Sequence, residues 1–416
     1  MAVKSHSDSP ERSTQAPVCF IDFANYPFIR RFCGYLSQQQ PCAYLYHPGF
    51  QSPNQGQKAH QAWEYPVLAG DGFAKQNLVK RWFQERAWGR AATDVLKSLA
   101  PRLVIIANAP LEVVTIIQRW CAAHQTPLVF WMQDVHSYAI GEALSQKVPV
   151  IGKLAGRHFR RLETQLLSRS DRVLLIADDH RAVLADLGVR SDRADVFPNW
   201  STIEDFPAAD ANGIEGQQRE QAWRRQHGLN DKRLLIYSGT LGMKHDPSLL
   251  ADLAAAYVTD PSVAVVVISS GPGADWLKAQ ASERGLVNLH VLPFVDYSMI
   301  ATTLQAAEVL LAILEPAAAR FSVPSKILTY ACTGRPVVVA MPADNAAARM
   351  VNDVGFGVVT PPGDSVAFID GVRRLLEKPA EAKDLGRSGR AYAEANFPMP
   401  VIEQRFMATV GDLLSS

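Results

Sequence analysis

The chain has 416 residues, 48% of them apolar and 20% charged, with 42 Lys and Arg against 41 Asp and Glu. That composition excludes a disordered, collagenous or coiled-coil polypeptide, and the length favours two domains. The near-neutral charge argues against a dedicated nucleic-acid binder, and the longest apolar runs, such as 263–268, fall far short of the roughly 20 residues that span a bilayer.

Residues 1–17 are polar and lack the apolar core of a secretory leader, so they read as a floppy, disordered tail. Short apolar runs follow at 18–22, 43–46, 103–107, 128–132, 173–177, 234–238, 263–269, 309–314 and 337–340. Most lack period-two alternation, the pattern expected of parallel strands that helices cover on both faces. Amphipathic stretches at 111–123, 179–187 and 247–257 lie between them. Strand and helix in alternation predict an α/β fold with doubly wound parallel sheets.

The alternation breaks once. After Phe197-Pro198-Asn199-Trp200 the segment 201–230 is polar and carries Gly213, Gly216 and Gly228. The boundary is placed near 203, giving an N-terminal domain over 18–203 and a C-terminal domain over 204–395. Ligands of such sheets bind outside the carboxyl ends of the strands, so the cleft between two facing domains is the expected active site. The five cysteines, Cys19, Cys33, Cys42, Cys121 and Cys332, show neither metal-site nor disulfide spacing. They suit reduced thiols in a cytoplasmic protein.

Five segments carry candidate chemistry. The stretch 75–102, from Lys75 to Arg102, mixes basic residues with Trp82, Phe83 and Trp88. The stretch 147–172 holds Lys147, Lys153, Arg157, Arg160, Arg161, Arg169 and Arg172 against Glu163 and Asp171, with Val150, Ile151, Leu154, Phe159, Leu162 and Leu166 interleaved. Both read either as surface helices or as basic amphipathic helices that lie on an anionic membrane. Trp131-Met-Gln-Asp134-Val-His136 sits at a strand end, where Asp134 and His136 either pair structurally or handle a sugar hydroxyl and its proton. In the stretch 237–244, Gly239 and Gly242 permit close backbone approach and Lys244 adds charge before a helix. In the stretch 321–336, Pro324 and Ser325 open a helix over 326–332 with Lys326 at its start and Gly334 at its end. That helix start is a phosphate site by geometry, with Ser325 as its cap. The P-loop, G-x-S-x-G, Asp-x-Asp and H-E-x-x-H motifs are all absent, so no metal or cofactor is expected.

In order and spacing these motifs resemble the family 4 glycosyltransferases of the GT-B fold, over about 18–406. LLSRSDRVLLIADDHRAVLADLGV followed by FPNW resembles the end of that family's first domain. LLIYSGTLGMKHD is similar to the opening strand and donor-phosphate loop of its second. GPGADWLKAQASERGLVNLHVLPFV resembles the stretch leading to the base pocket, and VPSKILTYACTGRPVVV the donor-binding helix. The resemblance implies two facing Rossmann-like domains and a last helix, about 396–416, crossing back to the first. It implies transfer of a sugar from a nucleotide-sugar donor with retention, metal-independent. Gly239, Lys244, Ser325 and Lys326 match the diphosphate contacts; Phe294, Val295 and Thr329 match the base and ribose region; Asp134 and His136 match the region near the reacting sugar. Where the family often has a His-Asp pair, this chain has Gln133-Asp134.

The departures are specific. Phe321 and Thr329 stand at the two usual glutamate positions, Thr240 at a usual arginine, and Phe23-Ala24-Asn25 in place of a glycine pair. A branch acting in bacterial surface polysaccharide synthesis shares the Val-Pro-Ser-Lys sequence. The resemblance therefore implies a glycan or lipid-linked acceptor, with peripheral attachment to the inner membrane face. The alternatives are a catalytically inert GT-B scaffold and a nucleotide-sugar 2-epimerase of the same fold.

Overall fold

The computed structural model describes residues 15–49, 61–68, 78–137, 149–207, 213–242, 245–316 and 324–414. Most of the expected N-terminal tail lies outside them, as do Lys244 and Phe321.

Two parallel sheets form the molecule. The first runs β3 (Glu64–Pro66), β2 (Cys42–Tyr46), β1 (Val18–Asp22), β4 (Leu103–Ala107), β5 (Leu128–Met132), β6 (Arg172–Leu175) and β7 (Ala194–Val196). The second runs β10 (Leu289–Leu292), β9 (Val263–Ile268), β8 (Arg233–Ser238), β11 (Val309–Ile313), β12 (Val337–Ala340) and β13 (Gly357–Thr360). Strand order reverses direction between β1 and β4 and again between β8 and β11, and those two switch points face the same cleft. The interior strands are buried along their whole length except at end residues of β6 and β8, because helices cover both faces.

The sequence pattern misses four strands, and they are β3, β7, β10 and β13, the edges of the two sheets. Each has three or four residues, and none is buried throughout. An edge strand need not be apolar on both faces, so the signal used for the interior strands is absent from it.

Helices α1 (Pro27–Leu36), α2 (Leu78–Leu99), α3 (Leu111–Ala123), α4 (Pro149–Arg169) and α5 (His180–Asp186) belong to the first sheet. Helix α6 (Gly213–Gln226) opens the second half, followed by α7 (Ser248–Ala256), α8 (Pro272–Glu283), α9 (Ile300–Gln305), α10 (Lys326–Ala331), α11 (Ala346–Val354), α12 (Ser365–Glu377) and α13 (Pro379–Asn396). The last helix, α14 (Met399–Leu414), lies against α1. Its Phe406 is 1% exposed and sits 5.2 Å from the Phe32 ring, 5.9 Å from Phe20 and 6.1 Å from Phe197. Polar ties reinforce the contact: the Tyr35 hydroxyl donates to Glu403 and Arg172 pairs with Asp412. The same aromatic cluster continues through Phe28, Trp131 and Trp200 to the cleft floor, with Phe28 and Trp200 5.0 Å apart.

Phe406→Ala removes the ring that joins the last helix to the first sheet. Truncating a wholly buried Phe costs about 3–5 kcal/mol, which equilibrium denaturation will measure. A loss below about 1 kcal/mol would show that the site collapses freely and that the helix is held elsewhere.

Candidate active site

The cleft holds about 560 Å³ and is lined from both sides. The second domain contributes Ser238, Gly239 and Thr240 after β8, Ser325, Lys326 and Thr329 around the start of α10, and Tyr297. The first contributes Tyr26, Asn108, Gln133, Asp134 and Asn199, and the connecting segment adds Trp200, Ser201, Thr202, Asp205 and Phe206.

Lys326 dominates the second-domain wall. Its ammonium is buried, and among the described residues it has no hydrogen-bond partner. It lies 3.8 Å from the centroid of the fully buried Tyr237 ring, a cation–π contact. Burial alone pulls its pKa down from 10.5 to about 7. Gly239 has φ +133°, a backbone conformation that favours glycine, and a Cβ there would stand 3.0 Å from Lys326 Nζ, so the lysine would have to give way to any side chain. Tyr330 locks α10 to β8, its hydroxyl receiving the Ser238 amide at 3.0 Å.

The helix start differs from the sequence expectation. Helix α10 has six residues, Ser325 makes no side-chain cap bond, and the Ile327 amide is taken by the Pro324 carbonyl. With that amide occupied and no cap formed, the anion-attracting group is the lysine ammonium more than the helix end. Thr329, at a usual glutamate position, shares a 3.1 Å hydrogen bond with Ser201 of the first domain. Phe294 and Val295 are half-buried beyond β10, packed on the core, and do not line the cleft.

On the first-domain wall the two expected catalytic residues part. Asp134 is exposed and lines the cleft. His136 does not: its amide donates to the buried Glu163 carboxylate at 3.0 Å, and its Nδ1 lies 4.0 Å from the same group. Glu163 also receives the Ser137 amide, so the turn is anchored backward into α4 and carries His136 away from Asp134.

Sequence reasoning missed Asp22, the last residue of β1. It is fully buried and receives the Tyr44 hydroxyl at 2.8 Å, the Tyr26 amide at 2.6 Å and the Asn108 side chain at 3.3 Å. Burial raises its pKa to about 7 although each donor opposes the rise. Asn25 and Asn108, with φ of 56° and 48°, take left-handed turns beside it. Asn25 is also held by Tyr44 at 3.2 Å, which is how this chain turns without the glycine pair. A carboxylate ending an apolar strand at a switch point was the available signal. Asn199 was missed as well, since its partner Gln133 is 66 residues away.

Two sequence families match side by side. Residues 49–200 match the glycosyl transferase 4-like domain, and residues 219–392 match glycosyl transferases group 1. A probable glycosyltransferase of Pseudomonas aeruginosa, WbjE, is 25% identical over 292 residues, 68% of this chain and 69% of the relative. Among solved structures, Anabaena HepE bound to UDP-glucose superposes with a TM-score of 0.69 at 16% identity, covering 96% of this chain and all of that one. WaaG, a glycosyltransferase involved in lipopolysaccharide biosynthesis, gives 0.66 at 14% identity, covering 95% of this chain and 100% of its own. These two likenesses are of fold.

A buried ammonium without a partner costs stability, and the sign of its pH dependence follows. Between pH 7 and 10.5 the unfolded chain holds the Lys326 proton and the native chain does not, so native stability rises with pH across that window. Lys326→Met keeps the volume and removes the charge. It should raise stability at pH 6 by about 1–2 kcal/mol and flatten the pH 7–10.5 slope, read by thermal unfolding at several pH values. A variant less stable than wild type at pH 6 would mean that the ammonium is satisfied in the free protein.

Proposed function

The chain belongs to the group 1 glycosyl transferases with a 4-like first domain, and from that premise we propose that it moves a sugar from a nucleoside-diphosphate sugar to a hydroxyl acceptor with retention. The Lys326 ammonium, which has no partner among the described residues, carries this reading, because a diphosphate would supply its counter-charge. As the glycosidic bond breaks, negative charge grows on the leaving diphosphate, and a fixed cation shielded from water stabilises it most at that moment. Lys326 takes this role, with Gly239 admitting the phosphates beside it. Lys244, Ser325 and Thr329 remain proposed donor contacts by resemblance, and Phe294 and Val295, whose side chains pack on the core, remain proposed base contacts through their backbone groups. Closure of the two domain walls on the donor would exclude water from it. The acceptor hydroxyl enters along the first-domain wall, where Asp134 receives its hydrogen bond. His136 supports the turn and takes no part in proton transfer. No metal is needed in this scheme, since Lys326 supplies the positive charge.

A catalytically inert scaffold would have no use for a buried cation that weakens its own fold. Retention of Lys326 beside Gly239 therefore favours the enzyme.

The acceptor is a lipid-linked or polysaccharide intermediate of exopolysaccharide, capsule or O-antigen type, met at the inner membrane face. Among the described residues no helix is long and apolar enough to cross a membrane. Support comes from one face of the first domain, where α2 and α4 both contact α3. The details differ from the amphipathic expectation. Trp88 is wholly buried and donates to the Val67 carbonyl, and Phe159, Leu162 and Leu166 face the core. Facing outward are Trp82 and Phe83 in edge-on contact, Arg86 stacked 4.6 Å over Trp82, and Leu154. Arg157, Arg160 and Arg161 line a groove of about 380 Å³ suited to anionic headgroups.

The donor site is tested by thermal stability against UDP, GDP, ADP and dTDP with EDTA present. A ligand that binds only the native state adds about 2.7 kcal/mol at about one hundred times Kd. One nucleotide should stabilise wild type and leave Lys326→Met unmoved. At pH 8 its binding should take up close to one proton, seen as buffer-dependent heat, because the diphosphate restores the lysine charge. No shift with any nucleotide sinks the reading, and a shift appearing only with a divalent cation sinks its metal-free form.

The membrane face is tested by sedimentation with phosphatidylglycerol–phosphatidylcholine vesicles. Each basic residue near an anionic surface contributes about 1 kcal/mol, so Arg157→Glu with Arg161→Glu should weaken binding by tenfold or more. Equal sedimentation of the double variant removes the proposal.

A further inference from the structure

The first-domain wall opposite Lys326 is built around two amides. Gln133 follows β5 and Asn199 follows β7, and both line the cleft. Each donates to the other, Gln133 Nε2 to Asn199 Oδ1 at 3.1 Å and Asn199 Nδ2 to Gln133 Oε1 at 2.6 Å. This ring of two bonds fixes both side chains and uses one N–H and one lone pair of each. One N–H and one lone pair per amide remain unused by the pair. Such a neutral array complements hydroxyl groups, which donate and accept at once.

The surrounding charges make the choice sharper. Among the described residues lining the cleft, Lys326 is the only lysine or arginine, and the diphosphate engages it in the donor-site reading on which this inference rests. Asp205 is neutralised by Arg31 and receives the Tyr297 hydroxyl. Asp134, next in sequence to Gln133, is an exposed carboxylate facing the same space. A carboxylated sugar seated there would meet two neutral amides and a like charge, and among the described residues lining the cleft no lysine or arginine besides the diphosphate-engaged Lys326 offsets the loss of its hydration.

We propose that the Gln133–Asn199 pair is the sugar-selecting element of this transferase, admitting donors with neutral sugars and rejecting uronic acids. The pair reads hydroxyls, and Asp134 supplies the repulsion.

The experiment is titration of the full chain with matched donors, UDP-glucose against UDP-glucuronate and GDP-mannose against GDP-mannuronate, with UDP and GDP as references. For the accepted nucleotide, the neutral sugar should bind at least about tenfold tighter than its uronate, since facing like charges are strongly unfavourable. Gln133→Arg should narrow or reverse that ratio while leaving the Kd of the free nucleoside diphosphate unchanged. Asn199→Asp, which adds no volume, should widen it. Equal affinity for both members of a pair in wild type overturns the proposal and leaves the donor site standing, as does an unchanged ratio in both folded variants. Failure of every nucleotide and nucleotide sugar to bind overturns the donor-site reading and this inference with it.

Discussion

A single ammonium group, that of Lys326, organises the cleft. It is held away from water against the face of Tyr237, beside Gly239, and no described side chain neutralises it. A folded protein carries such a cost only where a ligand removes it. Helix α10 is fastened to β8 by the Tyr330 hydroxyl, which fixes the backbone that carries Lys326. The second sheet thereby presents the Lys326 amine at its switch point, and a group positioned before the reaction needs little rearrangement during it.

The first sheet answers with the opposite arrangement. Its switch point ends in Asp22, buried and surrounded by donors without a cation. That carboxylate spends its lone pairs holding Tyr26 and Asn108 in left-handed or tight turns at the cleft wall. Apart from Asp205, which Arg31 neutralises, Asp134 is the only charged side chain among the described residues of that wall. One domain therefore supplies electrostatic grip and the other supplies neutral, directional hydrogen bonding. This division suits a reaction in which the leaving group is an anion and the incoming group a hydroxyl.

Between the domains run several direct ties. Ser201 meets Thr329, Thr202 meets Tyr297 at 3.1 Å, and one Arg349 nitrogen reaches both Asp179 oxygens at 2.7 and 2.8 Å. The exposed ion pair contributes little by itself. Larger stabilisation comes from the aromatic cluster around Phe406, where the last helix closes over the first sheet. The position where relatives often carry a glutamate is used here for a domain-spanning hydroxyl pair, so Thr329 has a structural occupation of its own.

Sequence by itself determined the architecture. Unbroken apolar runs with helical spacers can be satisfied only by covered parallel strands, and this placed every interior strand while losing the four short edges. It also singled out Gly239 and Lys326, because a glycine at a strand end and a lysine at a helix start are local signals. What it could not determine depended on contacts between distant segments. The pairing of Gln133 with Asn199, the capture of His136 by Glu163, and the burial of Trp88 of α2 against the Val67 carbonyl each join residues far apart in the chain. Whether a polar side chain faces the cleft or the core is decided by its partner, and the partner is chosen by the fold. The missing cap at Ser325 has the same origin: a six-residue helix pinned at Tyr330 takes its geometry from β8 and not from its own first residue.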